Sequence, residues 1–376
     1  MYMSIVGVIA EYNPFHNGHL YHLNKAKEMF KDSYFVLILI GNFTQRGEIS
    51  VIDKWDKTKI ALDYGYDLVI ELPYVFATQS ASYYAKGAIE ILKKINCNYL
   101  VFGSELNDVD KLKKLADITY ENKEYENLVK KYVSSGVNYP KASSLALMSV
   151  SDTMIDKPND VLALEYIRQI KLQKSNIVPI SIKRTNNYHE DEIKSNITSA
   201  TSIRKNIDNI NLVKDVMPND VIKYIKKIDY DKYFYLIKYQ ILSSDNLSDY
   251  LGVTEGLENK LKKEVNISSN LNELILNIKS KRYSYNRISR LLNHIVCKTK
   301  NDENISNIKY IRVLGLSKRG TNVLKSIKKN IDVPIITKYK KEYDHLFKTD
   351  YKANLIYSLV TNYDIKNEFR SSINKN

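Results

Sequence analysis

The chain of 376 residues is poor in cysteine (2), proline (7) and glycine (12). Two cysteines, Cys97 and Cys297, exclude a disulfide framework, and neither has a second Cys nearby to close a metal clip. That usage fits a reducing cytoplasm. No apolar run reaches membrane-spanning length, and the opening MSIVGVIAEY is too short and too poorly flanked for a signal peptide, so no membrane partner is expected. Internal repeats and low-complexity linkers are also lacking, and nothing announces an obligate protein partner. The abundant Lys, Asn, Ile and Tyr read as a composition bias, so the 30 tyrosines carry little argument by themselves.

Length and apolar content are enough for two domains and at least one large core. The net charge of +14 is unevenly placed: residues 1–200 carry 24 Lys+Arg and 24 Asp+Glu, residues 201–376 carry 33 and 19. A neutral half followed by a basic half suggests a catalytic domain followed by one that binds a polyanion. The competing reading is a Lys-rich solvated helical surface.

In the first half, apolar runs alternate with segments of helical spacing. The apolar run that opens at Ile5 and reaches a turn at Asn13-Pro14, and residues 34–40 (YFVLILI), 66–72 (YDLVIEL), 98–102 (NYLVF) and 177–183 (IVPISIK), read as strands, and 20–30, 53–64, 81–95 and 161–172 as helices. Such alternation points to a parallel sheet with right-handed crossovers, a Rossmann-like α/β domain. Ligand sites in these sheets gather beyond the carboxyl ends of the strands. There lie Gly41–Gly47 with Arg46, Gly103-Ser104-Glu105, and Arg184. A polar stretch at 185–196 with His189 reads as a loop over the site. Asn159 or Asp160 reads, in isolation, as a cap of the following helix.

The first strand leads into EYNPFHNGHL, a turn at Asn13-Pro14 followed by His16 and His19 around Asn17-Gly18 at the start of a helix. Free backbone N–H groups at such a junction bind anions, and two imidazoles can donate to the same phosphate. The form His-x-Gly-His is the adenylate-handling signature of nucleotidyltransferases and class I aminoacyl-tRNA synthetases. Alone it is weak, because two imidazoles can also be core or surface groups. After the last strand of this half comes Ser199-Ala200-Thr201-Ser202-Ile203-Arg204, a second helix start with hydroxyls and a cation, which alone is an ordinary N-cap. Together the two motifs suggest positioning and charge stabilisation at an α-phosphorus, with no covalent nucleophile.

At this point the chain resembles the bacterial tRNA(Met) cytidine acetate ligase family along nearly its whole length. The residues that carry the resemblance are EYNPFHNGH (11–19), GNFTQRG (41–47), DLVIELP (67–73), Gln79-Ser80-Ala81, Phe102-Gly103-Ser104-Glu105, Pro158-Asn159-Asp160, Ile182-Lys183-Arg184 and SATSIR (199–204). VTEGLEN (253–259), Lys281-Arg282-Tyr283 and Arg287-Ile288-Ser289-Arg290 follow in the basic half. Thr44 and Asp160 depart conservatively from the pattern. Charge and texture put a boundary near 200–215, dividing the chain into a HIGH-type nucleotidyltransferase domain at 1–205 and a mostly helical, basic tRNA-binding region at 206–376. The resemblance implies formation of acetyl-adenylate from acetate and ATP, then transfer of acetyl to N4 of the wobble cytidine of elongator tRNA(Met). The products are N4-acetylcytidine, AMP and pyrophosphate. It also implies ATP contacts at Gly7, Val8, Ile9, Ala10, Glu11, Tyr12, Asn13, Pro14, Phe15, His16, Asn17, Gly18, His19 and Leu20, and at Gly103, Asn159 and Arg184.

On physical grounds His16 and His19 are expected on the triphosphate, and Arg204 on the departing pyrophosphate with the hydroxyls of Ser199 and Thr201. Arg46 is a candidate for acetate or a phosphate. Mg²⁺ on the triphosphate is compatible with this chemistry, but no carboxylate cluster marks a metal site. The alternative function is an adenylyl- or cytidylyltransferase acting on a small cofactor precursor, against which the basic half argues. In that half, 224–242, 270–278 and 284–298 read as helices. Lys281, Arg282, Arg287 and Arg290, interleaved with Tyr283 and Tyr285, suit single-stranded RNA. The bland reading is packed tyrosines beside solvated cations. Residues 310–337 read as a small α/β appendage, strand–helix–strand.

Overall fold

The computed structural model describes residues 3–184, 197–254, 256–301, 305–329 and 331–375. Residues 185–196 with His189, and Glu255 of the VTEGLEN block, lie outside them. An eight-stranded, mostly parallel sheet organises the chain. Its strands are β1 (Ile5–Ala10), β2 (Tyr34–Ile40), β3 (Leu68–Leu72), β4 (Tyr99–Ser104), β5 (Val178–Lys183), β6 (Ile311–Ser317), β7 (Ile335–Ile336) and β8 (Ile373–Lys375). The order is β5-β4-β1-β2-β3-β6-β7, with β8 also on β6.

The continuous apolar runs follow from burial on both sheet faces. Along β2, Phe35, Leu37 and Leu39 enter one core layer, and Val36, Ile38 and Ile40 enter the other. Helices Ala81–Lys94 and Pro158–Leu172 cover the second layer. The first layer is shared with the helices of the basic part, so that Val8 and Leu37 belong to the same apolar cluster as Phe234, Ile237 and Leu292.

Two expectations need correction. Residues 310–337 are not an appendage: β6 pairs antiparallel with β3 and closes the edge that the parallel strands leave open. The physical reason is that β3 is buried throughout and its outer edge needs a partner. A fully buried ion cluster fastens this closure, with Lys54 Nζ 2.8 Å from Glu71 and 2.7 Å from Glu368. Arg312 of β6 approaches the same Glu71 at 3.6 Å. Losing any one of these charges strands its partner in the core. Further, the helix expected over 224–242 begins only at Tyr230, where Asp229 caps Lys232. Among the described residues no helix is long and apolar enough to cross a membrane.

Candidate active site

From β1 the chain proceeds to β2 and β3 on one side, then returns to β4 and β5 on the other. The carboxyl ends of β1 and β4 therefore diverge at a switch point, where a crevice must open. A cleft of about 460 Å³ lies there.

Its first wall comes from a short contiguous stretch. Tyr12 adopts a left-handed backbone, Asn13-Pro14 is cis, and the helix Asn17–Met29 then starts with His16 as N-cap. Nδ1 of His16 accepts from Gly18 N at 3.0 Å, and Nδ1 of His19 accepts from His16 N at 3.3 Å. The two histidines thus make a capping box of the kind Ser and Glu usually form. An Nδ1 that accepts carries no proton, so each ring holds its proton on Nε2. The rings stack with centroids 3.8 Å apart. Burial, with the Arg184 and Arg204 charges, lowers the His16 pKa to about 3, and burial and His16 likewise hold His19 well below its usual value. Both are neutral donors at physiological pH. Gly18 allows this packing, because a Cβ there would stand 2.9 Å from His16 Cε1. Tyr12, tied to Tyr66 at 2.7 Å, presses edgewise on His19 at 4.8 Å.

The ends of β4 and β5 form the floor. Gly103 lies against Arg184, whose Nε is 3.6 Å from Glu105 Oε1. Asn159 donates to the same Glu105 oxygen at 2.7 Å. Asp160 accepts from Ser104 Oγ and from the N–H groups of Glu105 and Leu106. Neither residue caps its helix, as the isolated reading has it; Lys157 occupies the N-cap without a side-chain bond. Both reach sideways to hold the loop after β4.

The second wall is assembled from distant segments. Arg204 donates to Asn13 O at 2.8 Å and pairs with Glu48 at 2.7 Å. Ser199 caps the helix Ala200–Lys205 through Ser202 N, and Thr201 lies 3.4 Å from Arg204. Glu11 accepts from Gln45 N at 2.7 Å, joining the β1 end to the 41–47 loop. Beneath, the buried Lys57 ammonium donates to the carbonyls of Glu11, Ile40 and Gly41 at 3.2, 3.1 and 2.7 Å. The helix Tyr285–Val296 closes this wall. Ser289 and Asn293 each donate to Gly47 O at 2.8 Å, and Arg290 donates to Gln45 O at 3.2 Å. Gly47 has φ +82°, and a Cβ on it would meet Arg290 N at 2.5 Å.

Of the expected site residues, Val8, Ile9, Ala10, Glu11, Tyr12, Asn13, His16, Gly18, His19, Arg46, Gly103, Asn159, Arg184, Ser199, Thr201 and Arg204 line the cleft. Five others of the first segment stand behind it. Gly7 admits Leu92 and Cys97, Phe15 packs on Tyr64, Leu20 leans on the core, and Asn17 N donates to Val216 O at 3.0 Å. Pro14 is buried in the turn. Lys281, Arg282 and Arg287 are exposed, and Arg287 lies over Tyr283 at 4.5 Å. Arg290, expected beside them on RNA, is instead half-buried and faces the cleft. Glu48, His22, Tyr84 and Tyr166 also line it and carried no sequence signal of their own, although His22 is three residues beyond His19 on the same helix face. No group of three or more His, Cys, Asp or Glu that could hold a metal occurs among the described residues.

An α/β fold with a phosphate-ready helix start at its switch point defines a nucleotidyltransferase, and a model of the HIGH nucleotidyl transferase family matches residues 3–372. The tRNA(Met) cytidine acetate ligase of Clostridium novyi is 38% identical over 390 residues, covering 95% of this chain and 96% of that protein. The enzyme of the same description from Caldicellulosiruptor saccharolyticus is 39% identical, with 95% and 94% covered. Crystal structures of Thermotoga maritima TmcAL superpose with TM-scores of 0.88 (bound with α-thio ATP) and 0.91 (apo). Both are 30% identical and cover 99% of this chain and 100% of theirs. The chain belongs to the tRNA(Met) cytidine acetate ligase family.

Proposed function

We propose that this protein is an ATP-dependent ligase that acetylates N4 of the wobble cytidine of elongator tRNA(Met). An acetate oxygen attacks the α-phosphorus of ATP and pyrophosphate leaves. The cytidine amine then attacks the acetyl carbonyl, loses a proton and expels AMP, leaving N4-acetylcytidine.

The observation that carries this reading is the pair of neutral imidazoles whose Nδ1 atoms are committed to the helix start. Their Nε2–H groups remain for phosphate oxygens, and such donors act by preorganisation. Arg204 stabilises the departing pyrophosphate with Ser199 and Thr201 beside it. Arg184, Gly103 and Asn159 hold the nucleotide from the β4–β5 side, and Arg46 meets an anion at the loop. Mg²⁺ enters, in this reading, on the triphosphate of ATP.

The functional division follows residues 1–205 for ATP and acetate and 206–376 for RNA, except that Arg290 of the second part turns into the cleft and one sheet spans both. Lys281, Arg282 and Arg287 make the RNA surface. Ser284 and Asn286, between these cations, line the cleft, so RNA held there lies at its rim.

Pyrophosphate release measured with and without acetate and bulk tRNA tests the reading. Acetate-dependent release, with label from acetate passing to tRNA, is expected. Release that ignores acetate, or an acetyl-adenylate never passed to RNA, points to a nucleotidyltransferase of small molecules.

A further inference from the structure

Three arginines besides Arg46 border the cleft, and their partners differ. Arg204 is paired with Glu48 at 2.7 Å and Arg184 with Glu105 at 3.6 Å. Arg290 has no carboxylate within ion-pair distance among the described residues; its hydrogen bond goes to the neutral carbonyl of Gln45. A half-buried guanidinium without a counter-ion is costly, and the cost is relieved when an anion arrives.

The helix is also unable to withdraw this cation. Ser289 and Asn293 on either side donate to Gly47 O, and the bare Gly47 lets the backbones touch at Arg290 N. One turn earlier the side chain of Arg287 lies outward over Tyr283. One helix thus presents one arginine to solvent and one to the cleft.

We propose that Arg290 binds an oxyanion of the small-molecule reactants, the carboxylate of acetate or a phosphoryl oxygen of ATP, as a planar two-pronged donor. The assignment rests on the acetate-and-ATP reading above. Burial and the like charge of Arg287 lower the Arg290 pKa to about 10, as befits a cation lacking its partner.

The test is acetate-dependent pyrophosphate exchange without RNA, on full-length Arg290→Ala, Arg290→Gln and Arg290→Lys. Gln keeps a donor for Gln45 O without the charge, so it carries the test should Ala fold poorly. We expect Ala and Gln to raise one KM by tenfold or more, with Lys recovering part and millimolar guanidinium partly restoring Ala. A raised KM for acetate identifies the carboxylate, and a raised KM for ATP the phosphate. Binding of tRNA and its salt slope should stay at wild-type values. Both KM values and kcat within twofold of wild type in Ala and Gln overturn the assignment. So does loss of RNA affinity with exchange intact. Absence of acetate-dependent exchange in the wild type overturns the functional reading itself, and is told apart because no variant is needed to see it.

Discussion

The two walls of the cleft are built in opposite ways. The histidine wall is a stretch of ten residues, 10–19, in which each imidazole is fixed by backbone groups three residues away or fewer. The arginine wall brings together Glu48, Arg204 and Arg290 through contacts across as many as 246 positions, as from Asn293 to Gly47 O. Local geometry sets the first and packing of the whole chain sets the second. The contrast teaches that donors can be placed in a cleft by local sequence, while the cations facing them depend on the complete fold.

Alteration of the histidine wall should have the largest effect. His19→Ala removes a donor from the cleft and half of the capping box, so acetate-dependent pyrophosphate exchange should fall on the order of 10²–10³-fold. Filter binding of tRNA should change little; equal loss of both activities would mean that the walls are not separable. Arg204→Ala comes next, at about tenfold to a hundredfold in kcat, since it also frees Glu48 and the Asn13 carbonyl. A rate unchanged in single-turnover measurement would remove Arg204 from pyrophosphate departure.

Gly47→Ala asks whether the second wall relies on close backbone approach. It combines a positive φ with a collision at Arg290 N, so a loss of about 1–3 kcal/mol in urea denaturation is expected. A melting curve identical to wild type would show that the wall yields.

Acidification compares the walls without mutation. His16, and His294, which is buried against Tyr74 on the helix Tyr285–Val296, have pKa values lowered to about 3, and His22 to about 4. Because the unfolded chain binds protons on these rings near pH 6.5 and the folded chain does not, their stability contribution is complete above pH 6.5. It is lost as pH falls from there towards about 3. The denaturation midpoint should therefore drop steadily below pH 6.5, and the drop should be shallower in His294→Asn. The smallest effect is expected outside the cleft. Arg287→Ala should weaken tRNA binding a few-fold and lower the log–log salt slope by about one; an unaltered slope would take Arg287 off the RNA surface.

Much of the sheet was legible from sequence, because strands buried on both faces must be continuously apolar and the chain spells five of them in the first half. The histidine pair and the Ser199 cap were legible for the same local reason. The inward turn of Arg290 was not legible, because helical spacing puts it near Arg287 yet says nothing about which side chain turns inward. Asn159 and Asp160 mimic a cap in one dimension, and only the neighbouring β4 loop redirects them. The pairing of β6 with β3 left no mark on either strand, since an edge looks the same in sequence whether water or another strand covers it.

By itself the sequence determined the elements whose causes are short-range: apolar runs, helix starts, the His16–His19 cap and the uneven charge. Tertiary structure alone decided which strand closes the sheet, that Lys57 sits under three carbonyls, and that Arg290 faces the cleft. The physical reason is that periodicity and capping are properties of neighbouring residues. The partner of a buried charge is chosen by whichever distant segment the packed core brings within hydrogen-bond reach.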